Sequence, residues 1–303
     1  MHHKKFSIII ILLGLLFSSF NLSAEDLGKF PPVVSNDILK YKEYKNYHGG
    51  AGSVSFMNFY PTEAFGTNIN FLRQGVIPPK SSIGEHYMKN GDEVYVILKG
   101  RALVTVNGLS GFISGVSYVA CPMGSSAGIY NNTEKDVEFL CFGVSMEKGK
   151  YDTVDYGIDL TKSSAEFPPP FQWAHFDKEN SYYLEKVHKG KSGMDICDAF
   201  GTGFAKTNSG GFGICVIHPG SSIGYHKHDK IEEIYYIISG KGRLTSNDRT
   251  FDVKKGDCMP VFLHGKHGIY NNGTDDLCVL VFGATMEKGV FQGEDLGDDL
   301  STR

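Results

Sequence analysis

Four side chains in the last third of the chain have the types and spacing for metal chemistry: His226, His228, Glu233 and His267. His226 and His228 are two apart, so on a β-strand both imidazoles leave the same face. Glu233 follows a short loop and opens the strand-like run Glu233–Ile234–Tyr235–Tyr236–Ile237–Ile238. His267 stands on a later run, in the same parity as Ile269 and Asn271. Neutral imidazoles plus one carboxylate, delivered by separate strands, suit a five- or six-coordinate divalent ion with exchangeable positions left open. A lone histidine is usually a solvated or hydrogen-bonded residue, but these four together point to a ligand set. Two further candidates sit beside them. Tyr235 shares the parity of Glu233, which places it on a cavity wall as a substrate contact or a partner of a ligand, with core packing the alternative. His264, three residues before His267, is a candidate acid or base at the cavity mouth, or else a surface histidine. Lys227 and Lys266 alternate away from the ligands and are expected to point outward.

The elements that must hold these residues come as a repeat. Ser81–Ser82–Ile83–Gly84 recurs as Ser221–Ser222–Ile223–Gly224, and Gly128–Ile129–Tyr130–Asn131–Asn132 as Gly268–Ile269–Tyr270–Asn271–Asn272. Met146–Glu147–Lys148–Gly149 recurs as Met286–Glu287–Lys288–Gly289, and every pair is 140 residues apart. Chance matches would not share one offset, so the chain is a tandem duplication. Each unit reads as short β-branched and aromatic strands closed by turns, among them Gly100, Gly240 and the Asn107–Gly108 hairpin signal, with no amphipathic helix of any length. That pattern predicts an all-β protein of two small barrels or sandwiches.

The segment Gly220–Gly240 resembles the first motif of the cupin superfamily. Gly220, His226, His228, Glu233 and Gly240 occupy its positions. Gly256 through Asn271 resembles the second motif, with His267 in the metal-binding place, although Phe262–Leu263–His264 stands where the family has Pro-x-Gly. The resemblance covers both units and implies a bicupin, that is, two tandem jelly-roll β-barrels with metal inside. Unit one keeps His86, Glu93 and Pro122–Met123–Gly124, but Met88 and Ala127 stand where unit two has His228 and His267. A degenerate metal site follows, with a soft His86–Met88 site for Cu(I) as a side reading and core packing of Met88 the stronger one. The expected layout is a signal peptide at 1–24, an N-terminal segment at 25–40, an N-terminal cupin domain at 41–162, a linker at 163–180 and a C-terminal, metal-binding cupin domain at 181–303. The linker carries Pro168–Pro169–Pro170 and reads as stiff and poor in strand signals.

The leader combines basic His2–Lys5, an apolar run from Phe6 to Phe17 and small residues up to Ala24. It is too short for a span of about 20 apolar residues, so cleavage and a periplasmic or secreted protein are expected. The formal charge of -4 shows no basic face for nucleic acid. The partners expected are therefore small molecules, with no membrane after cleavage and a homo-oligomer left open. The cysteines lie inside apolar runs and read as buried thiols. Asn131–Thr133 and Asn272–Thr274 are glycosylation sequons that matter only in a eukaryotic host.

The cofactor implied is one divalent ion, with Fe, Mn, Ni, Zn and Cu all compatible with the donors. Similar bicupins include dioxygenases, isomerases and decarboxylases, and the leading expectation is a dioxygenase-type oxidoreductase acting on a small organic substrate. The alternatives are isomerase or decarboxylase chemistry, and a non-catalytic small-molecule or metal-binding protein. Oxalate decarboxylases fit the pattern poorly. That family has Arg three residues before the first ligand histidine, where this chain has Ile223, and keeps ligands in both barrels.

Overall fold

The structure is a computed structural model that describes residues 29–297 and 299–303; the leader at 1–24 lies outside the described residues. The described chain is built of β-strands joined by turns and single-turn 3-10 helices. Each unit folds into a barrel made of one large and one small sheet, antiparallel except where Ala165–Glu166 joins the first small sheet in parallel. In the first, the large sheet runs in the order 117–121, 91–99, 137–145, 69–77, 53–58 and 42–45. The second repeats that order at the 140-residue offset with 257–261, 231–239, 277–285, 209–217, 193–200 and 182–185. Turn chemistry repeats without the same letters. Asn107 and Gly108 close one hairpin at φ 51° and 76°, and Asn247 and Asp248 close the matching one at 46° and 64°. Asn and Asp tolerate this left-handed region better than other side chains.

The linker departs from its sequence reading. It carries the strands Ala165–Glu166 and Trp173–His175, which extend the small and large sheets of the first barrel. Val34–Ser35, ahead of the first barrel, pairs instead with Asp257–Val261 of the second. Val34 and Ala174 are themselves 140 apart, so the two barrels exchange equivalent edge strands. Edge strands of two or three residues need only backbone partners and tolerate nearby proline, so they leave little trace in hydrophobic pattern.

The large sheets pack face to face. Leu140 and Phe142 of one and Phe212, Ile214, Leu280 and Phe282 of the other join a single apolar cluster. Two buried carboxylates lock the contact reciprocally. Glu232 accepts from the backbone N–H of Gly66 (2.9 Å), Thr67 (2.8 Å) and Leu263 (3.3 Å) and from the Thr67 hydroxyl. Asp92, its repeat counterpart, accepts from the N–H of Lys206, Thr207 (2.7 Å) and Met123 and from the Thr207 hydroxyl. Each barrel also has its own interior cluster, the first including Met88, Val104 and Phe139 and the second Ile223, Leu244 and Ile269. All six cysteines are buried thiols outside any disulfide.

Candidate metal centre

The four expected ligands converge inside the second barrel. His226 on Ser222–Lys227 lies opposite His267 on Lys266–Tyr270, both in the small sheet, and Glu233 comes across from Ile231–Ser239 of the large sheet. His228 follows just past its strand. One potential donor atom from each of the four lies within 4.8 Å of all the others. Nδ1 of His226 donates to the Gly224 carbonyl at 2.8 Å, and Nδ1 of His228 to the Gln292 carbonyl at 2.6 Å. Both rings are thereby fixed in the tautomer that leaves Nε2 as a lone-pair donor. Glu233 Oε2 lies 3.2 Å from His267 Nε2 and 3.5 Å from His228 Nε2. His228 Nε2 and His267 Nδ1 are buried without a hydrogen-bond partner, an arrangement that costs free energy unless something else satisfies them. A divalent ion suits this donor set of borderline nitrogens and one hard oxygen.

The electrostatics agree with that fit. Burial, reinforced by the neighbouring His267 and His188, pushes His226 down to about 2, so this ring is neutral as metal binding requires. Burial works against the charge of Glu233, yet the His228 and His267 imidazoles beside it outweigh that and hold the carboxyl well below its ordinary range. Tyr235 does line the cavity. Its hydroxyl donates to Glu233 Oε2 at 3.1 Å and lies 3.1 Å from His267 Nε2, and burial raises it well above its ordinary value, so it stays protonated.

The other sequence candidates fall elsewhere. His264 sits on the outside, its Nδ1 2.8 Å from Asp229, and does not join the residues lining the metal cavity. Lys227 pairs with Asp229, and Lys266 is exposed. Met88 is packed in the apolar core, in line with its stronger reading. Asn131 is fully buried, its amide bonded to the carbonyls of Ile77 and Lys135, so the first sequon offers nothing to a glycosylating enzyme in the folded chain.

One residue beside the centre escaped the sequence reading. His188, in the 3-10 turn Val187–Lys189, stacks on His226 with ring centroids 3.6 Å apart and an interplanar angle of 4°, and its Nδ1 lies 2.8 Å from Asp295. In the first barrel His48 stacks on His86 at 3.8 Å and pairs with Asp155 at 2.7 Å. The repeated Ser-Ser-Ile-Gly docks this turn. Ser222 Oγ accepts from Lys191 N at 2.7 Å, and a Cβ on Gly224 would stand 2.0 Å from the His188 carbonyl oxygen. The available signal was the 140-residue spacing of His48 with His188 and of Asp155 with Asp295.

A cavity of about 330 Å³ reaches His226 and Glu233 from outside. The first barrel keeps His86 facing Glu93, with Nε2 to Oε2 at 3.5 Å, but Tyr151 donates a hydrogen bond to Glu93 and closes it over.

Fold and site thus define a duplicated β-barrel protein with a three-histidine, one-glutamate centre in its second barrel. Residues 213–283, which contain all four of these side chains, match the family model described as cupin domain. The chain has a bicupin fold, with its His/His/Glu/His cluster in the C-terminal barrel that matches the cupin domain. A deletion mutant of Bacillus subtilis oxalate decarboxylase superposes with a TM-score of 0.59 at 18% identity, over 88% of this chain and 79% of that one. The formate complex of Lactobacillus farciminis oxalate decarboxylase superposes with a TM-score of 0.58 at 15% identity, over 88% and 89%. These likenesses show the fold. By sequence, an oxalate-binding protein of Thermotoga maritima is 42% identical over 59 residues, 20% of this chain and 49% of that protein. An uncharacterized protein of Methanocaldococcus jannaschii is 40% identical over 65 residues, 22% of this chain and 52% of that one. The chain spans about half the length of both curated relatives. A further structure of the Bacillus subtilis decarboxylase, matching at a TM-score of 0.57, is described by its Mn(II) centres.

Proposed function

We propose that the C-terminal barrel holds one divalent ion through His226, His228, Glu233 and His267, and that the protein is an exported metal-dependent enzyme of the dioxygenase kind acting on a small organic molecule. The carrying observation is that the ligand set ends an open cavity instead of being sealed in protein, which leaves room for a substrate beside the ion. Manganese is the first candidate because a protein of like fold is described with Mn(II) centres; iron follows, and Ni, Zn and Cu suit the same donors. A bound ion of this kind supplies Lewis acidity and, for Mn or Fe, one-electron chemistry. The chain does the rest. The Gly224 and Gln292 carbonyls orient two imidazoles, Tyr235 holds Glu233 with a hydroxyl that stays protonated, and the His188–Asp295 pair stacks behind His226. Metal analysis of the purified protein, followed by oxygen uptake with phenols, diketones and 2-oxo acids, tests this. About one ion per chain and substrate-dependent oxygen uptake are expected; an ion-free chain refutes the centre. A second reading, capture of a small ligand without turnover, draws support from the relative named as an oxalate-binding protein. It predicts binding with neither oxygen uptake nor product.

A further inference from the structure

Comparing the two barrels position by position says what kind of ligand the second one admits. On the strand Ser209–Ile217, Cys215 and Ile217 belong to the barrel interior while Phe212 and Ile214 belong to the face between barrels. By strand alternation Gly213 therefore faces the interior, and Gly211, at the bulge where φ turns to 113°, lines the same cavity. Their counterparts 140 residues earlier are Phe71 and Arg73. The Arg73 guanidinium stacks on Phe71 at 3.7 Å, lies 5.2 Å from the Phe56 ring and donates to the Tyr47 hydroxyl at 2.9 Å. Tyr151 packs edge-on against Phe71 at 5.1 Å. These side chains plug the first barrel. At the corresponding places the second barrel has Gly211, Gly213, Ile196, Val187 and Phe291, and all five line its cavity. Phe291, equivalent to Tyr151, is 54% exposed and stands at the rim, away from the carboxylate that Tyr151 covers. Backbone conformation already favours glycine at 211, but Gly213 has an ordinary strand φ and forgoes packing and β-propensity, a loss that is explained where another molecule approaches the backbone.

Resting on the metal-centre reading above, we infer that this cavity takes a compact apolar molecule of at least one aromatic ring, presenting an oxygen-donor end to the centre, and that Gly211 and Gly213 are its specificity-determining residues. An apolar cavity of about 150 Å³ suffices for benzene. The 330 Å³ here accommodates a substituted ring. Met194, Ile196, Cys215, Ile223 and Val281 supply apolar wall, and neither Lys nor Arg lines the cavity among the described residues. A small dianion such as oxalate would leave that wall unused and find no fixed cation besides the ion.

The test uses the full chain loaded with Mn(II) under nitrogen, titrated calorimetrically with 4-methylcatechol and with oxalate. The parent binds 4-methylcatechol more tightly than oxalate. Gly213→Leu, at a position with ordinary backbone φ, keeps its ion and weakens 4-methylcatechol about tenfold or more while sparing oxalate. Ile196→Phe, which installs the residue that the first barrel accepts at position 56, does the same and carries the test should the glycine variant not fold. Tighter oxalate binding by the parent, or unchanged 4-methylcatechol binding in ion-loaded variants, overturns the inference. Metal analysis of the same samples separates this from the centre itself. A chain without an ion refutes the metal reading, and toluene, which needs only the apolar wall, then reads the cavity: binding lost in Gly213→Leu sustains the inference, and no binding by the parent overturns it.

Discussion

The N-terminal barrel stacks His48 on His86 and faces Glu93, as the C-terminal barrel stacks His188 on His226 beside Glu233. Strand order, the docked 3-10 turn and the reciprocal Asp92 and Glu232 locks are shared as well. For the site, the barrels part in side chains that face inward. Met88 and Ala127 replace two imidazoles, and Phe71, Arg73 and Tyr151 fill what Gly211, Gly213 and Phe291 leave open. The groups that build the fold and the groups that make a site are therefore separable in this molecule. Turns, docking serines and interface carboxylates persist in both halves, while access and ligation survive in one.

The largest expected effect breaks the asymmetry from the side of the four-ligand cluster. His226→Ala or His267→Ala should take bound metal from about one ion per chain to nearly none, whereas His86→Ala should leave it almost unchanged, read by elemental analysis. Equal losses from the His86 and His226 variants would remove the distinction between barrels.

Next comes restoration of the silent side. Met88→His with Ala127→His rebuilds a four-donor set on the matching strands, but Tyr151 still occupies Glu93. A second ion should therefore bind well only when Tyr151→Phe is added, which copies the residue at 291. Full uptake by the double variant would show that the tyrosine is no obstacle. The added polar rings cost on the order of 1–3 kcal/mol each where poorly satisfied, which urea unfolding measures.

A smaller effect should be the same in both halves. Asp92→Ala and Glu232→Ala each strand three backbone N–H groups in the face between barrels. Each should lower stability by on the order of 3 kcal/mol. Widely different values would mean that the locks are not equivalent.

A pH-dependent effect, small over any one pH unit, separates the barrels by sign. In ion-free protein burial, with His267 and His188, holds His226 at about 2. The unfolded side chain takes a proton near pKa ~6.5, so the folded form binds fewer protons below that pH and stability falls with acid. Burial alone would lower His86, but Glu93 more than offsets it and raises the ring above its ordinary value. Its contribution is complete below about 6.5 and is lost as pH rises through the folded value. Thermal melts in chelator should show His226→Gln flattening the acid-side fall, by at most about 1.4 kcal/mol per pH unit. His86→Gln should cost stability at pH 6 and little at pH 9. The same sign for both variants would sink this contrast.

The duplication, the all-β character and the four candidate ligands were legible from local rules. A constant offset, strand alternation and turn residues act over a few positions, and His-x-His followed by Glu233 needs nothing more. What only the tertiary structure decided depends on approach between distant segments. His188 reaches His226 through a turn that glycine lets in close, and it carries no motif of its own. The exchanged edge strands are two and three residues long and are held by backbone groups that any sequence supplies. His264, three residues from a ligand, is turned outward to Asp229. The open cavity is a difference in volume between Phe71, Arg73 and Tyr151 and their counterparts, and it has meaning only once those side chains are known to face one interior. Local pattern sets which face of a strand is buried; packing sets whether that burial is filled.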